Sequence, residues 1–296
     1  MITLCTPTYN RAYILDRLYQ SLKKQTSKEF IWCIVDDGSR DNTKELVESW
    51  KQEDNLDFTI EYYYQENAGE MKALNTGLKH TKTELFYFVD SDDWLVPDAV
   101  ESILDFWKQN SADIEKKKLC GIMALHGESP DRIYGGVELP ISGQYTTLRA
   151  TVDAGYKNTL SLIFRSDVAK KYPFPRIEGE KFITESYIYD KIDINYQYVI
   201  FRKIIQIKEF HEDGLTHNLM RTYFNNPKGC TLVYNQGMKL HKGLKNKFKN
   251  ASNYVCYSIA CKESKFLNKA ENKFLTLIAI PAGLYLYCKR KKYKSQ

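Results

Sequence analysis

Apolar residues follow two different rhythms along the first hundred positions. Solid runs occur at 2–5, at "FIWCIV" (30–35), at "FTIEYYY" (58–64) and at "LFYFV" (85–89). Between them, apolar residues recur every three or four positions, as in Ile14, Leu15, Leu18 and Leu22, in "KELVESW", in "GEMKALNTGLKH" and in Val100, Ile103, Leu104 and Trp107. Solid runs of that length predict buried strands, and the three-to-four spacing predicts helices. Asp41, Asn42 and Thr43 offer N-caps for the second helix, and Pro97 opens the fourth. Strands alternating with helices predict an α/β fold, with a mostly parallel sheet flanked by helices. In such sheets ligands bind beyond the carboxyl ends of the strands. The polar clusters "TPTYN", "DDGS" and "DSDD" all come directly after predicted strands, so they are expected to converge on one rim.

Beyond residue 110 the rhythm weakens. "LCGIMALH" predicts one more strand, and "GEKFITESYIYDKI" sets Phe182, Tyr187, Ile188 and Ile192 at mixed helical spacing. From about 215 the chain reads as helical and basic, with a soft boundary around "FNNPKG". The expected organisation is a catalytic domain over 1–225, in halves 1–100 and 101–225, followed by a helical basic extension over 226–296.

Composition sharpens this picture in three ways. Of 296 residues, 43% are hydrophobic and 14% aromatic, which suits a folded core rather than a disordered chain. Residues 239–296 hold 14 Lys/Arg and two acids, a net +12, while the whole chain is +6, which leaves 1–238 at −6. An acidic front and a basic tail predict different partners, and the tail suits an anionic surface. Seven scattered cysteines without a C-x-x-C pair argue against a disulfide framework or a zinc site and for a reducing compartment. The start, "MITLCTPTYN", lacks a basic leader region, so no secretory leader is expected. The run "FLTLIAIPAGLYLYC" (274–288) contains Pro281 and precedes "KRKKYK". It is shorter than the roughly 20 residues a spanning helix needs, so it is expected to lie on a membrane surface.

The acidic clusters carry the chemistry. In "FVDSDDWLVPD", Asp90, Asp92 and Asp93 crowd the end of an apolar run. Such carboxylates repel, and Mg²⁺ or Mn²⁺ shared with a substrate phosphate neutralises them. On an extended segment Asp90 and Asp92 would face one side. Asp93 and Asp98 are expected to serve the next helix N-terminus. In "VDDGS", Asp36 or Asp37 could accept hydrogen bonds from a base or ribose, although the composition is also that of an ordinary turn. Pro7 stiffens the first loop, and Tyr9 offers a stacking face. In "ENAGEMKALNTG", Asn67, Gly69, Ala73, Asn75 and Gly77 form a spaced set of small and polar residues, Gly69 would allow close backbone approach, and Lys72 could offset phosphate charge.

Taken in order, "TPTYNR", the "VDDGS" box, "N-x-G-x-x-x-A-x-N-x-G" and "F-x-D-x-DD" resemble the family-2 glycosyltransferases of GT-A fold, over roughly residues 1–100. The bacterial members that build cell-surface polysaccharide are the nearest type. The resemblance implies a Rossmann-like sheet, a nucleotide-diphosphate sugar donor, a divalent metal and inversion at the anomeric carbon. It implies donor-binding roles for Pro7, Tyr9, Asp36, Asp37, Asn67, Gly69, Lys72, Asp90 and Ser91. Metal contacts would come from Asp92, Asp90 and His211. Ala68 and Leu74 depart from the family's usual residues, Leu74 standing where an Arg is frequent. Inverting transfer needs a base to deprotonate the acceptor. Glu185 holds the most similar position, with Glu180 and Asp190 behind it, and Ser186 stands where a second acid is common.

The expected activity is therefore transfer of a sugar, from a nucleotide-diphosphate sugar expected to be a UDP-sugar, to a glycan or lipid-linked acceptor. The expected setting is the cytoplasmic, inner face of the cell membrane, through the basic tail. A sugar nucleotidyltransferase is the alternative enzyme, weakened by the lack of a Gly-rich basic loop after the first strand. A non-enzymatic module binding an anionic surface through the tail is the alternative outside catalysis. No nucleic-acid partner is expected, because the front is acidic. A dinucleotide oxidoreductase would need a G-x-G-x-x-G that is missing here.

Overall fold

The solid apolar runs do become strands, and they stack side by side because each is too short and too apolar to be covered otherwise. A computed structural model describes residues 1–209 and 219–293. It divides into two units, Met1–Pro173 with Lys191–Glu209, and Phe174–Asp190 with the described part of Phe210–Gln296.

The first unit contains the sheet. Its strands are β1 (Ile2–Thr8), β2 (Phe30–Asp36), β3 (Thr59–Tyr64), β4 (Leu85–Phe88), β5 (Trp94–Leu95), β6 (Leu119–Ser129), β7 (Arg132–Ile133), β8 (Tyr145–Thr146), β9 (Leu160–Arg165) and β10 (Gln197–Ile207). The main order is β3-β2-β1-β4-β9-β6-β10-β5, with β7 against β6 and β8 against β10. β1 is parallel to β2 and β4, β2 to β3, and β10 to β6, whereas β9 runs antiparallel to both β4 and β6. The strands β1, β2, β3, β4, β6 and β10 therefore all point their carboxyl ends to one rim. Helices α1 (Ala12–Lys23), α2 (Thr43–Lys51), α3 (Glu70–His80) and α4 (Ala99–Gln109) alternate with the first strands as the spacing predicts. Shorter helices, α5 (Leu148–Asp153) and α6 (Ser166–Ala169), come later in this unit.

An aromatic stack holds α1 and α2 to β2. The Tyr19 ring lies 4.3 Å from that of Trp50 and 6.1 Å from that of Trp32, and Trp32 Nε1 donates to Thr6 Oγ1 at 3.0 Å. On α3, Gly77 meets β1 so closely that a Cβ there would lie 2.3 Å from Cys5 Sγ. Gly77 is thus a packing requirement of the helix, which explains a residue that otherwise weakens helices.

Besides the two-residue strands β5, β7 and β8, two longer strands are not predicted by the apolar pattern. In β10 the apolar run is broken by Arg202 and Lys203, and the register shifts between Phe201 and Ile204. The irregularity turns those two charges outward: Lys203 pairs with Asp98 and Arg202 donates to the Ile141 carbonyl. β9 is a short strand without alternation, buried along Ser161–Phe164.

The helix α7 (Ser186–Ile192) runs over the point in sequence where the division falls. The second unit holds α8 (Leu219–Asn225), α9 (Pro227–Leu240), α10 (Leu244–Ala260), α11 (Phe266–Lys269), α12 (Lys273–Ile278) and α13 (Ile280–Arg290). α10 is its axis. Cys256, Tyr257 and Ala260 pack with Phe224 and Cys230, while Ala251 and Tyr254 pack with Met238, Leu275 and Ala279. Residues 174–190 join this unit through the start of α9. The Glu180 carboxylate accepts from Lys228 N and Gly229 N, both at 2.8 Å, and Asn226 Oδ1 accepts from Lys181 N at 2.9 Å. A carboxylate there satisfies first-turn donors and meets the positive helix end. Among the described residues, no helix is long and apolar enough to cross a membrane.

Gly77→Ala should lower stability by about 1–3 kcal/mol, the usual range for overpacking. Urea unfolding of Gly77→Ala beside a Cys5→Ala/Gly77→Ala double variant checks this, because the double variant should recover part of the loss. Equal losses in both would mean that Cys5 is not the neighbour that matters.

Candidate active site

Four loops at the carboxyl rim of the first unit are knit to one another. The first and second meet where Asn10 N donates to Ser39 Oγ at 2.9 Å and Asn10 Oδ1 accepts from Arg40 N at 2.8 Å. The second and third meet at Asp37. Its carboxylate, only 4% exposed, accepts from Gln65 Nε2 at 2.7 Å, Ala68 N at 2.8 Å and Gly69 N at 2.8 Å. The first and fourth meet where Arg11 Nη1 lies 3.9 Å from Asp92 Oδ2. Gly38 makes the second contact possible. Its φ is +87°, and a Cβ there would sit 2.8 Å from Asn67 N.

Asp36 ends β2 opposite Thr8 of β1 and is buried. It accepts from Tyr62 Oη at 2.6 Å and Ser39 N at 2.7 Å. Burial and the neighbouring Asp36 push the Tyr62 phenol well above its ordinary range, so it stays a donor. Both carboxylates of the "VDD" pair are therefore fixed by internal donors. Each carboxylate offers about four lone-pair positions, so neither is saturated by these contacts. Pro7 is half-buried beside them and Tyr9 is exposed at the rim. Lys72 is half-buried in the first turn of α3, whereas Leu74 is buried in the core and presents no polar group to the rim.

The acid cluster takes a different shape from the extended segment expected. Asp93 N donates to the Asp90 carbonyl at 3.2 Å, which closes residues 90–93 into a turn. The chain has to reverse at this point to enter β5, which runs antiparallel to β10. Asp90 and Asp92 consequently meet different cations. Asp90 Oδ2 accepts from Lys208 Nζ at 3.1 Å, while Asp92 lies near Arg11. Arg17 donates to the Asp92 carbonyl and rests its guanidinium 4.1 Å over the Trp94 ring.

Asp93 does not serve the helix. It is 1% exposed, accepts from Gln206 Nε2 at 2.5 Å and lies 3.6 Å from Lys208 Nζ. Gln206 in turn accepts from Tyr87 Oη, which lies 2.8 Å from Ser161 Oγ. The chain Ser161–Tyr87–Gln206–Asp93 crosses the sheet under the turn. Asp93 Oδ1 has no hydrogen-bond partner. Burial, then the charge of Asp90, push the Asp93 carboxyl up to about 7. Burial would lower the Lys208 ammonium, yet Asp90, Asp93 and Asp92 hold it above its ordinary value. Asp98, at the α4 N-cap, makes no cap bond and instead pairs with Lys203.

Lys208, Gln206, Tyr87, Arg11 and Arg17 were not singled out in the sequence. Arg11 is the residue within reach of motif reading, since it closes "TPTYNR". Gln206 and Lys208, and with them the role of Tyr87, depend on β10 being recognised as a strand whose end reaches the rim, whereas Arg17 depends on the turn that brings Asp92 and Trp94 over α1.

Glu185 is exposed and belongs to the second unit, just before α7. The other two candidate bases are committed elsewhere. Glu180 caps α9, and Asp190 Oδ2 lies 2.8 Å from His241 Nε2. His211 lies outside the described residues.

His126, on β6 beside Gln206, is buried with Nδ1 2.8 Å from Thr159 Oγ1. Burial and the positive charge of Lys208 lower it to about 3. An unfolded His takes its proton near pH 6.5. As pH falls from about 6.5 toward 3, the unfolded chain gains a proton that the fold refuses, so stability is lost over that window. His126→Gln should remove on the order of 2–3 kcal/mol of the difference in unfolding free energy between pH 7 and pH 4. Urea titrations at both pH values check this, and an unchanged difference would show that His126 is not the group responsible.

Comparison with known proteins completes the picture. Residues 3–117 match the family model described as Glycosyl transferase family 2. Glycosyltransferase GlyA of Streptococcus pneumoniae is 37% identical over 113 residues, 38% of this chain and 16% of that protein. Putative glycosyltransferase EpsH of Bacillus subtilis is 32% identical over 103 residues, 35% of this chain and 29% of that protein. The chain thus spans well under half the length of these relatives. Among solved structures, S. aureus TarS 1-349 in complex with UDP-GlcNAc superposes with a TM-score of 0.59 at 18% identity, over 99% of this chain and 81% of that one. Mannosyltransferase PcManGT from Pyrobaculum calidifontis, in complex with GDP-Man and Mn2+, gives 0.58 at 17% identity, over 99% and 82%. The fold is that of these GT-A enzymes, as expected.

Proposed function

Over residues 3–117 the chain belongs to glycosyl transferase family 2, and from that premise we propose an inverting, metal-dependent enzyme that moves a sugar from a nucleotide diphosphate to a glycan or lipid-linked acceptor in cell-surface polysaccharide synthesis. The observation that carries the reading is the meeting of the Asp37 loop and the Asp92 turn at one rim. Both are tied there through the end of β1, which holds Pro7, and the loop after it, which holds Tyr9 and Arg11. UDP-GlcNAc and GDP-Man in the two similar structures support a nucleotide-sugar donor.

Within this reading, Asp36 and Asp37 shape the nucleoside pocket, with Pro7 and Tyr9 along its wall. Ser91, Asn67, Gly69 and Lys72 border the diphosphate. Asp90 and Asp92 fit a hard divalent cation. They are part-exposed carboxylates on one turn, and among the described residues no cluster of three or more His, Cys, Asp or Glu offers a closed cage. Mg²⁺ or Mn²⁺ commonly takes one or two carboxylates and completes its shell with phosphate oxygens and water. When bound, the ion would neutralise charge on the departing diphosphate. Lys208, Arg11 and Arg17 supply fixed positive charge to the same rim, which favours a leaving anion. Glu185 is the proposed base, taking the acceptor hydroxyl proton. Residues 1–100 are the proposed donor half, 101–225 the acceptor half and 226–296 a basic helical extension that places the enzyme peripherally at the inner membrane face.

A donor panel of UDP- and GDP-sugars with Mn²⁺ or Mg²⁺, scored by nucleoside diphosphate release, tests the reading. Pyrophosphate as the product instead would assign the protein to nucleotidyl transfer. Asp92→Asn should abolish metal-dependent release while circular dichroism and the unfolding midpoint stay as in the wild type. Glu185→Gln should lower turnover by roughly 10²–10⁴-fold with nucleoside diphosphate binding unchanged. A fully active Gln variant would remove Glu185 from the mechanism.

A further inference from the structure

The second unit leaves one face of its last two helices uncovered. Phe274, Leu277, Ile278, Leu284 and Tyr285 are 74, 56, 50, 46 and 65% exposed, and Pro281 and Cys288 are exposed in the same run. Their spacing is three, one, three, three, one, three, which is the rhythm of a single helical stripe. The rhythm survives the change from α12 to α13. Ala279, the residue between them, has φ −80° and ψ −5°, and Pro281 sits in the first turn of α13 where its missing N–H costs nothing. Pro281 therefore joins the two helices rather than ending them. At 100° per residue the seven positions fall in a sector of roughly 120°.

The opposite side is what holds these helices down. Leu275 and Ala279 pack in the cluster around Ala251 and Tyr254, and Leu286 and Tyr287 pack against the cluster of Cys256 and Tyr257. Gly283 crosses α10 so closely that a Cβ would lie 2.5 Å from Val255 Cβ. The stripe is not surplus core that slipped outward, because a separate set of residues already fills that role.

Charge says what the stripe meets. Residues 273–296 hold six Lys/Arg and no acid. By the same wheel, Lys273 and Lys291 border one edge of the apolar sector and Lys289 the other. Long cationic side chains flanking an apolar face reach outward to anionic headgroups while their stems stay on the apolar side. A second copy of this face would bring those cations against their equals. We infer that the exposed face of α12 and α13 is a membrane-insertion element, sunk between the headgroups of an anionic lipid surface with Lys273, Lys289 and Lys291 at its borders. The inference rests on the peripheral location proposed above but not on the transfer chemistry.

The test uses the full chain and vesicles of phosphatidylcholine with or without about 30% phosphatidylglycerol. Sedimentation should show binding to the anionic vesicles and little to the neutral ones. Leu277→Ser/Ile278→Ser should weaken that binding about tenfold or more, with an unchanged unfolding midpoint, since both residues are exposed. A polarity-sensitive fluorophore on Cys288, in a Cys261→Ser background, should shift to the blue when anionic vesicles are added. Undiminished binding by the Ser variant overturns the inference, as does a fluorophore that stays in a watery environment. A dimer that the Ser variant loses, without vesicle binding by either form, would assign the face to a second copy instead. Nucleoside diphosphate release with a soluble acceptor separates the two readings. If the Ser variant keeps it and loses the vesicles, transfer and docking are independent. If vesicles bind but no donor is ever consumed, the transfer reading alone falls.

Discussion

A carboxylate sealed from water has to be balanced where it stands. Asp93 is such a group, and its surroundings come from three strands of the sheet: Ser161 of β9, Tyr87 of β4, and β10, which gives Gln206 and, just past its end, Lys208. Leaving a buried charge without a partner costs several kcal/mol, so these elements cannot drift apart independently. β5 is only two residues long and pairs with β10 at Gln206 and Ile207. The hydrogen bond from Gln206 to Asp93 and the ladder from β10 to β5 therefore fasten the same short segment twice. The acid turn gains its fixed position from that double fastening, and so do Asp90 and Asp92 on it.

The consequence for chemistry is that the rim has its own positive charge before any ligand arrives. Lys208 bridges Asp90 and Asp93, Arg11 approaches Asp92, and Arg17 lies over the Trp94 ring and pairs with Glu209. Crowded acids on their own would be an argument for a cation from solution. Here the protein already supplies part of the neutralisation, and among the described residues the ion pair of Asp92 is with Arg11, 3.9 Å away. Of the carboxylates on the turn, Asp92 is thus the one whose charge is least neutralised internally, which supports giving it the leading metal contact. Asp93, next to it in sequence, is buried and tied through Oδ2 to Gln206 and Lys208.

The second unit solves a different problem with different means. α10 is buried along Asn250–Ser258 on nearly every side. A helix covered all round needs neighbours close at hand, and small residues at the crossings provide them, Gly237 against Asn250 and Gly283 against Val255. The last two helices then have one side used by α10 and the other side free. The apolar residues on that free side are separate from those that make the core, so the same fifteen or so positions of sequence carry both a packing face and a surface face.

Much of the parallel half was legible because its signals are local. A solid apolar run leading into Asp-Asp-Gly reads as a strand and a turn whatever the rest of the chain does, and the convergence of such turns is a consequence of parallel topology. The balance of charge was not legible, because it is a property of neighbours across the sheet. Lys208 is 118 positions from Asp90, and nothing in either local stretch announces the other. The bulge at Arg202 and Lys203 hid the strand that joins them, since it interrupts the apolar pattern by which strands are recognised. Asp93 misled for the same reason. A few residues before a helix, an Asp reads as part of its N-terminal region, and only the antiparallel return of β5 turns it inward. Glu180 shows the converse, an acid that looks like a candidate base until the first turn of α9, 48 positions later, supplies the donors that use it. A cluster of acids in a sequence marks where negative charge gathers, but which of them remains available for a ligand is decided by the partners that folding brings from elsewhere.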